Sequence, residues 1–320
     1  MEVTVVIPNY NGIKYMEACL NSIYKGSMIP EVIVIDNAST DGSAELVAEK
    51  YPACQLIRFD ENTGFCVAVN EGIRRARTEY VLLLNNDTEV DKDFVQNLYT
   101  AIKKRPKAFS VGAKMLALHQ PDLIDDAGDL YCALGWAFAL GKGKNKTHYA
   151  QPAEVFAACA GAAIYRKAIF EEIGCFDENH FAYLEDIDIA YRARIHGYRN
   201  YYEPAAIVYH AGSAVSGSRH NHFKVNLSAR NSIYLIYKNM PILQILINLP
   251  FLLAGIFIKL LFFLKKGMGK TYIKGILEGI NLSCSAKGRP NKVKFHFRNI
   301  SNYAQIQLEL WLNTIRRAVG

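Results

Sequence analysis

Acidic and amide side chains follow the ends of short apolar runs in the first third of the chain. Asn85, Asn86 and Asp87 directly follow the run at 80–84, and a Pro-Asn-Tyr-Asn-Gly segment follows the run at 3–7. A short apolar run bounded by polar turn residues predicts a buried strand of a parallel sheet, and such sheets bind ligands beyond the carboxyl ends of their strands. We therefore expect a ligand cleft there, in which Asp87 can hold Mg²⁺ or Mn²⁺ through oxygen and bridge it to a substrate diphosphate.

Further polar sets follow the next two predicted strands, at 36–43 and 62–64. An ionised carboxylate such as that of Asp36 only accepts hydrogen bonds, so it suits a ring N–H or a ribose hydroxyl. Turn formation and helix capping favour the same residue types and remain the alternative for any one of them taken alone. The candidates for ligand binding at these strand ends are Pro8, Asn9, Tyr10, Asn11, Asp36, Asn37, Ser39, Asn62, Gly64, Asn70, Asn85 and Asn86.

A second acidic cluster lies where a helix is predicted to begin, near Glu185. Neighbouring Glu185 and Asp186 project in different directions from a helix, so that one can face a cleft while the other contacts the scaffold. A carboxylate in a half-buried cleft suits a general base, and stabilisation of the helix start by acidic residues is the alternative. His210 follows another β-rich run, and a lone histidine there is more often structural than a ligand.

Composition narrows the class of protein. The chain has 320 residues, of which 51% are apolar, and its net charge is +7. The seven cysteines are scattered without a C-x-x-C pair, which disfavours a disulfide scaffold or a zinc site and favours a reducing compartment. An apolar run begins close to the N-terminus, so we expect no signal peptide and a cytoplasmic catalytic part. Because the late basic residues have no nucleic-acid-binding motif with them, we expect an anionic membrane surface, and no nucleic acid, as their partner.

Strand and helix patterns alternate over the first 115 residues. We predict strands at 3–7, 31–35, 55–59, 80–84 and 109–115, and helices at 15–24, 42–50, 64–76, 91–104 and, later, 185–196. This order predicts an α/β fold with a Rossmann-like, mostly parallel central sheet and helices on both faces.

Residues 241–264 form a nearly continuous apolar stretch that is long enough for a membrane-spanning helix. Pro250 interrupts it, and a single crossing would export the lysines at 265–274 against the positive-inside tendency. We therefore favour a segment that lies on or dips into the cytoplasmic leaflet over a crossing helix. A buried core helix ranks third.

The ordered motifs PNYNG, VIDNASTDGS, ENTGF, LLLNND, GCFDENHFAYLEDIDIAYRARIHGY and VYHAGSAVSGS resemble glycosyltransferase family 2, which has the GT-A fold, over roughly residues 1–235. Within that family the chain is similar to bacterial rhamnosyltransferases that extend surface polysaccharides. The resemblance implies an inverting, metal-dependent enzyme in which Asp36 reads a pyrimidine base and Asp186 is the catalytic base. It also implies that Asp87 and His210 hold the metal. One departure is Asn85, which replaces the first aspartate of the family's usual metal motif.

The resemblance also implies the substrates and the use of each part of the chain. The donor would be a dTDP- or UDP-linked sugar, with rhamnose as a candidate, and the acceptor a lipid-linked saccharide. We assign 1–110 to the nucleotide sugar, 111–238 to the acceptor with a mobile loop at 212–222, 239–275 to a membrane-associating segment, and 276–320 to a basic helical tail. The enzyme would act at the cytoplasmic face of a bacterial membrane, and its oligomeric state stays open. The acceptor candidates are Trp136, Gly161, Tyr183 and Glu185.

Three other functions compete with this one. A processive polysaccharide synthase would need several spanning helices, and a dehydrogenase would need the G-x-G-x-x-G fingerprint, which this sequence lacks. A catalytically inactive nucleotide-sugar-binding or membrane-anchored assembly protein is favoured by Asn85. The presence of Asp87, Asp186 and His210 argues against it.

Overall fold

A computed structural model describes residues 2–212 and 220–319 of the chain. Most of the predicted loop at 212–222 therefore lies outside the described residues. The strands are β1 (Val3–Asn9), β2 (Glu31–Asp36), β3 (Gln55–Arg58), β4 (Tyr80–Leu84), β5 (Thr88–Val90), β6 (Ala108–Ala117), β7 (Gln120–Asp126), β8 (Asp129–Tyr131), β9 (Ala137–Ala139), β10 (Ala153–Val155), β11 (Ala162–Arg166) and β12 (Arg199–His210). The helices are α1 (Ile13–Tyr24), α2 (Ser43–Lys50), α3 (Phe65–Arg75), α4 (Phe94–Lys103), α5 (Lys167–Ile173), α6 (Glu185–Ile195), α7 (His222–Asn239), α8 (Ile242–Lys265), α9 (Gly269–Cys284) and α10 (Ile300–Val319).

One mixed sheet organises the molecule, in the order β10-β12-β6-β11-β4-β1-β2-β3, with β5 and β7 added on β12 and β6. Strands β4, β1, β2 and β3 are parallel, as the alternating βα pattern predicts. Strand β11 runs antiparallel to both of its neighbours, β4 and β6. Parallel neighbours need a crossover connection, whereas β11 follows short hairpins and loops, so it enters the sheet in the opposite direction. The sheet is therefore mixed rather than mostly parallel.

Helices cover both faces of this sheet, as predicted. Alternate residues of β1 point to opposite faces: Val5 and Ile7 pack with α1, α2 and α4, whereas Val6 packs with α3, α5 and α6. Because both faces of the sheet are buried, the strands are continuous apolar runs in the sequence. The polar residues that follow them lie together at the carboxyl ends of the strands.

The apolar stretch forms the single long helix α8, with Pro250 inside it. By length and composition alone, α8 is the one helix among the described residues that could cross a membrane, and little of it is buried. It is therefore not a buried core helix. Its buried positions include Gln244, Asn248 and Gly255, so a polar side exists and faces the protein. The spacing of four residues places Gln244 and Asn248 on one face of the helix, but it does not tell whether that face contacts the protein.

Candidate active site

The carboxyl ends of β1 and β4 open into a cavity of about 760 Å³, a size typical of small-molecule sites. The loops after β2 and β3, the start of α6 and the end of β12 complete its wall. Of the residues singled out from the sequence, the cavity is lined by Pro8, Asn9, Tyr10, Asn37, Asn62, Gly64, Asn85, Asn86, Asp87, Gly161, Tyr183, Glu185, Asp186 and His210.

Asn9 ties together three of the strand-end loops. Its Nδ2 donates to Oδ1 of Asp36 at 2.7 Å and to Oγ of Ser43 at 2.8 Å, and its Oδ1 accepts from Nδ2 of Asn86 at 2.7 Å. A Cβ at position 12 would lie 2.0 Å from that Nδ2 of Asn86, so only glycine fits there. The amide network therefore fixes the floor of the cavity.

The loop after β3 is joined to the loop that precedes α6. Asn37 donates through Nδ2 to Oδ1 of Asn62 and to the Gly64 carbonyl, both at 3.1 Å. Gly64 has φ of +88°, and a Cβ there would lie 2.5 Å from the Phe181 ring. The Phe181 carbonyl accepts from the backbone N–H of Phe65 at 2.7 Å, which caps the start of α3. These contacts consequently fix the positions of the two loops relative to each other.

Asp87 and His210 form the candidate metal pair. Nε2 of His210 lies 3.3 Å from Oδ1 of Asp87, while Nδ1 of His210 lies 2.8 Å from Oδ2 of Asp125. Burial lowers the pKa of His210, but the hydrogen bonds and charges of Asp125 and Asp87 outweigh it and raise this pKa to about 9. The site thus attracts positive charge strongly.

This arrangement fits a divalent cation. With Nδ1–H directed at Asp125, a divalent cation that displaced the Nε2 proton of His210 would be held between the Nε2 lone pair and an oxygen of Asp87. A carboxylate behind a ligating histidine is the usual support of such a ligand. Asp125 was not predicted from the sequence. It lies 85 residues away from His210, so no local spacing connects the two.

Asp186 lies at the first turn of α6 and lines the cavity, half-buried. Its Oδ1 accepts the backbone N–H of Ile187 at 2.7 Å. Burial raises the pKa of Asp186 above the usual range of an aspartate. Neighbouring Glu185 is more deeply buried, and burial, followed by the charge of Asp186, raises its pKa as well. Such a carboxyl can gain and lose a proton closer to neutral pH.

The β7–β8 connection supplies further acid groups to this wall. Asp129 lines the cavity, and burial together with Asp126 and Asp186 raises its pKa well above the usual range. The oxygen atoms of Asp126 and Asp129 and the sulfur of Cys159 lie within 4.8 Å of one another. Burial raises the pKa of the Cys159 thiol well above its usual range and keeps it protonated. The part of the cavity wall near the start of α6 is therefore rich in carboxyl groups.

The loop before α6 has an uncommon backbone. Phe181, Tyr183 and Leu184 have φ of +62°, +71° and +65°. Such values are unfavourable for side chains of this size and persist only where surrounding contacts fix them. Asn231 of α7 supplies those contacts: its fully buried Nδ2 donates to the carbonyls of His180, Ala182 and Tyr183 at 2.9, 2.9 and 2.7 Å. Helix α7 thus fixes the loop from which Asp186 projects.

A buried charge network also joins α6 to α7. Nζ of Lys238 lies 2.7 Å from Oδ2 of Asp177 and 2.8 Å from Oδ2 of Asp188, and Arg192 also pairs with Asp188. Burial opposes ionisation of Asp188, but Lys238 and Arg192 hold its pKa far below the usual range. Because each charge is paired, the network can stay ionised in the interior, and it joins α6 to α7.

Five predicted residues do not line the cavity. Asn11, Asp36 and Ser39 form a hydrogen-bonded group beside the cavity, in which Oγ of Ser39 accepts the Asn11 N–H at 2.9 Å and Oδ2 of Asp36 accepts the Ser39 N–H at 3.1 Å. Asn70 is buried elsewhere: its Nδ2 donates to the Phe176 carbonyl at 2.8 Å. Trp136 donates through its indole N–H to the Gly255 carbonyl of α8 at 3.2 Å. Asn70 and Trp136 thus join elements of the fold to one another.

The sequence profile of "Glycosyl transferase family 2" matches residues 4–174, more than half of the chain. The chain belongs to glycosyl transferase family 2. It has the GT-A fold expected from its motifs, and its strand-end cavity is the family 2 active-site candidate.

Relatives of this glycosyltransferase include an N-acetylglucosaminyl-diphospho-decaprenol L-rhamnosyltransferase of Mycobacterium tuberculosis. The two are 26% identical over 231 residues, which cover 64% of this chain and 75% of the relative. Another is a poly-beta-1,6-N-acetyl-D-glucosamine synthase of Staphylococcus epidermidis, 26% identical over 179 residues, which cover 55% of this chain and 42% of that protein.

Solved structures share the fold at low identity. GalNAc-T7 with UDP, GalNAc and Mn²⁺ has a TM-score of 0.60 at 15% identity, and the match covers 74% of this chain but only 48% of GalNAc-T7. The mannosyltransferase PcManGT from Pyrobaculum calidifontis, in complex with GDP-Man and Mn²⁺, has a TM-score of 0.54 at 18% identity. That match covers 97% of this chain and 84% of PcManGT. These likenesses establish the GT-A fold of the glycosyltransferase.

Several residues of the site have almost no local sequence pattern that marks them as functional. Asp125, Asp129 and Asn231 reach the cavity or its loops only through long-range packing. One sign was available: Asp125 and Asp126 form an acidic pair in a stretch that is otherwise rich in loops. Nothing in their spacing relates them to His210 or Asp186.

Proposed function

We propose that this glycosyltransferase is an inverting enzyme that moves a sugar from a nucleoside diphosphate to a saccharide hydroxyl by single displacement. The observation that carries the proposal is one cavity lined by both Asp186 and the pair Asp87 and His210. One wall can stabilise the negative charge of a leaving diphosphate, and the other offers a base for the attacking hydroxyl. A single displacement needs both of these groups at one site.

Donor binding is assigned to the strand-end loops. Pro8 and Tyr10 flank the buried Asn9 at the end of β1, and the loop after β2 follows Asp36. We propose that this loop, ordered by Asp36, reads the nucleotide base, and that Asn85 and Asn86 bind the phosphates or sugar as neutral amides. A divalent cation at Asp87 and His210 would neutralise charge on the diphosphate. The ligand set has one carboxylate fewer than the usual motif because of Asn85, so we expect modest metal affinity.

The acceptor side is assigned to the start of α6 and the acidic wall. Asp186 would remove the proton from the attacking hydroxyl, and Glu185, Tyr183 and Gly161 would contact the acceptor sugar. Its raised pKa brings the Asp186 carboxylate closer to the basicity useful at neutral pH. In this scheme the hydroxyl oxygen bonds to the anomeric carbon as the bond to the diphosphate oxygen breaks.

The substrates we would test first follow from the mycobacterial relative, whose name specifies a rhamnosyl group and a lipid-linked diphosphate acceptor. We propose a dTDP- or UDP-linked sugar, with rhamnose first, and a lipid-linked saccharide in cell-surface polysaccharide synthesis. Because a lipid-linked acceptor lies in a membrane, we propose that the enzyme works at a membrane surface, on its cytoplasmic face. The apolar helix α8, much of which is exposed, supports that location.

A screen of nucleotide sugars for thermal stabilisation, with and without Mn²⁺, tests the donor assignment. A ligand that binds only the folded protein raises its stability by RT ln(1 + [L]/Kd), about 2.7 kcal/mol at a concentration 100 times Kd. We expect a Mn²⁺-dependent stabilisation by one nucleotide sugar, and release of the nucleoside diphosphate from it when an acceptor is added. Failure of every dTDP-, UDP- and GDP-sugar to stabilise the protein contradicts the proposal.

An inactive nucleotide-sugar-binding or assembly protein is the second candidate, and Asn85 in the wall of the cavity favours it. The same screen separates the two. Stabilisation by a nucleotide sugar without any nucleoside diphosphate release, across acceptor glycosides and membrane extracts, would establish the inactive protein.

A further inference from the structure

Helix α8 is polar toward the protein and apolar toward the outside. Oε1 of Gln244 accepts the Tyr191 hydroxyl at 2.7 Å, and the amides of Asn248 and Gln307 exchange two hydrogen bonds of 2.7 and 2.8 Å. The residues that α8 leaves exposed are large and apolar: Ile242, Leu243, Leu246, Ile247, Leu249, Phe251, Leu253, Phe257, Ile258, Leu261, Phe262 and Leu264. A surface helix of a water-soluble domain has the opposite arrangement.

The two helices that follow α8 in the chain are docked on the rest of the protein. Helix α9 packs on α7 through Gly275 and Gly279, where an added Cβ would lie 2.5 Å from a carbonyl oxygen of α7. Helix α10 is bonded to the β8–β9 hairpin, since Leu310 accepts the Ala133 N–H at 3.1 Å and Asn313 donates to the Tyr131 carbonyl at 3.0 Å. A single crossing by α8 would place α9 and α10 across the bilayer from these partners. The fold therefore fits a helix that stays on one side.

Helix α9 extends the apolar surface. Its exposed Ile273, Leu277 and Ile280 are spaced by four and three residues and so share one face of the helix. Ile256, Leu260 and Phe263 of α8 pack with Tyr272 and Ile276 of α9 against α7, so α8 and α9 form a hairpin. The exposed lysines at 265, 266, 270 and 274 surround its turn, and α8 itself contains no acidic residue. Glu278 of α9, whose Oε1 lies 3.8 Å from Nζ of Lys274, is the one acidic residue of the hairpin. A large apolar face edged mainly by positive charge is complementary to an anionic lipid leaflet.

The α8 contact reaches the acceptor end of the cavity. Trp136 donates to the Gly255 carbonyl at 3.2 Å, and Nζ of Lys259 lies 5.5 Å from the centre of the Trp136 ring. The next residue, Ala137, lines the cavity, as does Asp129 at the other end of the same hairpin. The wall that would receive the acceptor is thus fastened directly to the apolar helix.

From these contacts we infer that α8 and α9 form a monotopic platform that lies flat on an anionic lipid leaflet and holds the acceptor wall at that surface. The platform itself does not depend on the donor chemistry. Only the statement that a lipid-linked acceptor arrives there rests on the proposed function. Nucleotide-sugar stabilisation in lipid-free buffer tests that function separately, so failure of one leaves the other standing.

Cosedimentation of the full chain with vesicles tests the platform. We expect binding to vesicles of phosphatidylcholine mixed with phosphatidylglycerol and weaker binding to phosphatidylcholine alone. Lys265→Gln with Lys266→Gln should lower the partition coefficient about 30-fold, since each lysine near an anionic surface contributes about 1 kcal/mol. The matched pair Lys104→Gln with Lys107→Gln, exposed on the catalytic domain, should leave it unchanged. If both double variants lower the partition coefficient equally, the assignment of the α8–α9 surface as the lipid-binding surface is overturned.

Apolar contact is tested by Ile280→Ser, which should lower the partition coefficient by about tenfold or more. Its matched control is Ile29→Ser, because Ile280 and Ile29 are 47% and 46% exposed and Ile29 lies on the catalytic domain. Ile29→Ser should bind vesicles as the wild type does. If Ile280→Ser also binds unchanged, α9 is not part of the platform.

Cys284 provides a native reporter, because it is the exposed cysteine and follows Ile280 by four residues on the same face. Vesicles should slow its reaction with a membrane-impermeant maleimide, while a cysteine introduced as Lys25→Cys should react as before. In closed inverted membranes the maleimide should reach Cys284, although slowly, and the cysteine of Lys25→Cys only from the cytoplasmic side. Unprotected Cys284, labelling of the two sites from opposite sides, or a dimer that forms without vesicle binding would each overturn the inference.

Discussion

Replacement of Asn231 by alanine should uncouple catalysis from donor binding. The fully buried amide of Asn231 donates to the carbonyls of Ala182 and Tyr183. Those two residues directly precede the turn that carries Asp186. The substitution removes the clamp without touching any residue that lines the cavity floor.

The size of the expected fall in kcat follows from the hydrogen-bond donors that Asn231→Ala removes. Nδ2 of Asn231 has two hydrogens for three carbonyls, so the loss corresponds to two full hydrogen bonds, of which one is shared. At about 1–1.5 kcal/mol net for each of the two, the loop loses roughly 2–3 kcal/mol of stabilisation. Each of its three positive-φ residues costs about 1–3 kcal/mol, so the loop then relaxes toward other conformations. We expect kcat to fall by roughly 30- to 150-fold.

The assay measures release of nucleoside diphosphate at saturating donor, together with donor Kd by calorimetry and the midpoint of thermal unfolding. For Asn231→Ala we expect reduced kcat, donor affinity within about twofold, and a melting temperature lower by roughly 5 °C. The control is Asn200→Ala, since Asn200 is equally buried and makes bonds of 2.7 and 2.8 Å far along β12 from the cavity. It should lose stability while kcat stays near the wild-type value.

Asn231→Asp refines the test, because it keeps the size of the side chain and replaces both donors with acceptors that repel the three carbonyls. Its kcat should be at least as low as that of the alanine variant. The reasoning is refuted if Asn231→Ala loses as much stability as Asn200→Ala but retains wild-type kcat. In that case Asn231 only stabilises the fold.

Three further predictions concern the cavity. Asp186→Asn should keep donor affinity and lower kcat by about 10²–10⁴-fold, as loss of a general base does; near-normal turnover would remove Asp186 from the mechanism. Asp87→Ala should abolish the Mn²⁺-dependent part of nucleoside diphosphate binding. Asp125→Asn should weaken that binding roughly tenfold, because Asp125 orients His210. Calorimetry that gives the same affinity with and without chelator in the wild type would contradict both expectations. Because burial raises the pKa of Asp186 to about 6, kcat should fall as pH drops through that value rather than through about 4; a profile flat down to pH 5 would exclude Asp186 as the titrating base.

The order of elements and most of the cavity wall were determined by local sequence. The β1, β2, β3 and β4 strands are apolar runs that end in polar residues, and parallel strands place their carboxyl ends at one edge. Fourteen residues selected on that ground or by family resemblance line one cavity. Whether each has its assigned role stays a prediction for the experiments above.

Tertiary structure decided what local patterns do not encode. Asn37 follows the end of β2 and lines the cavity, whereas Asn70 lies on α3 and bonds to Phe176, 106 residues away. The orientation of β11 depends on its connection, and the inward polar side of α8 depends on Tyr191 and Gln307, which contribute the partners. Short-range spacing fixes which side chains share a strand end or a helix face. It cannot specify which distant segment covers them, because that choice is made by packing and hydrogen-bond satisfaction over the whole chain.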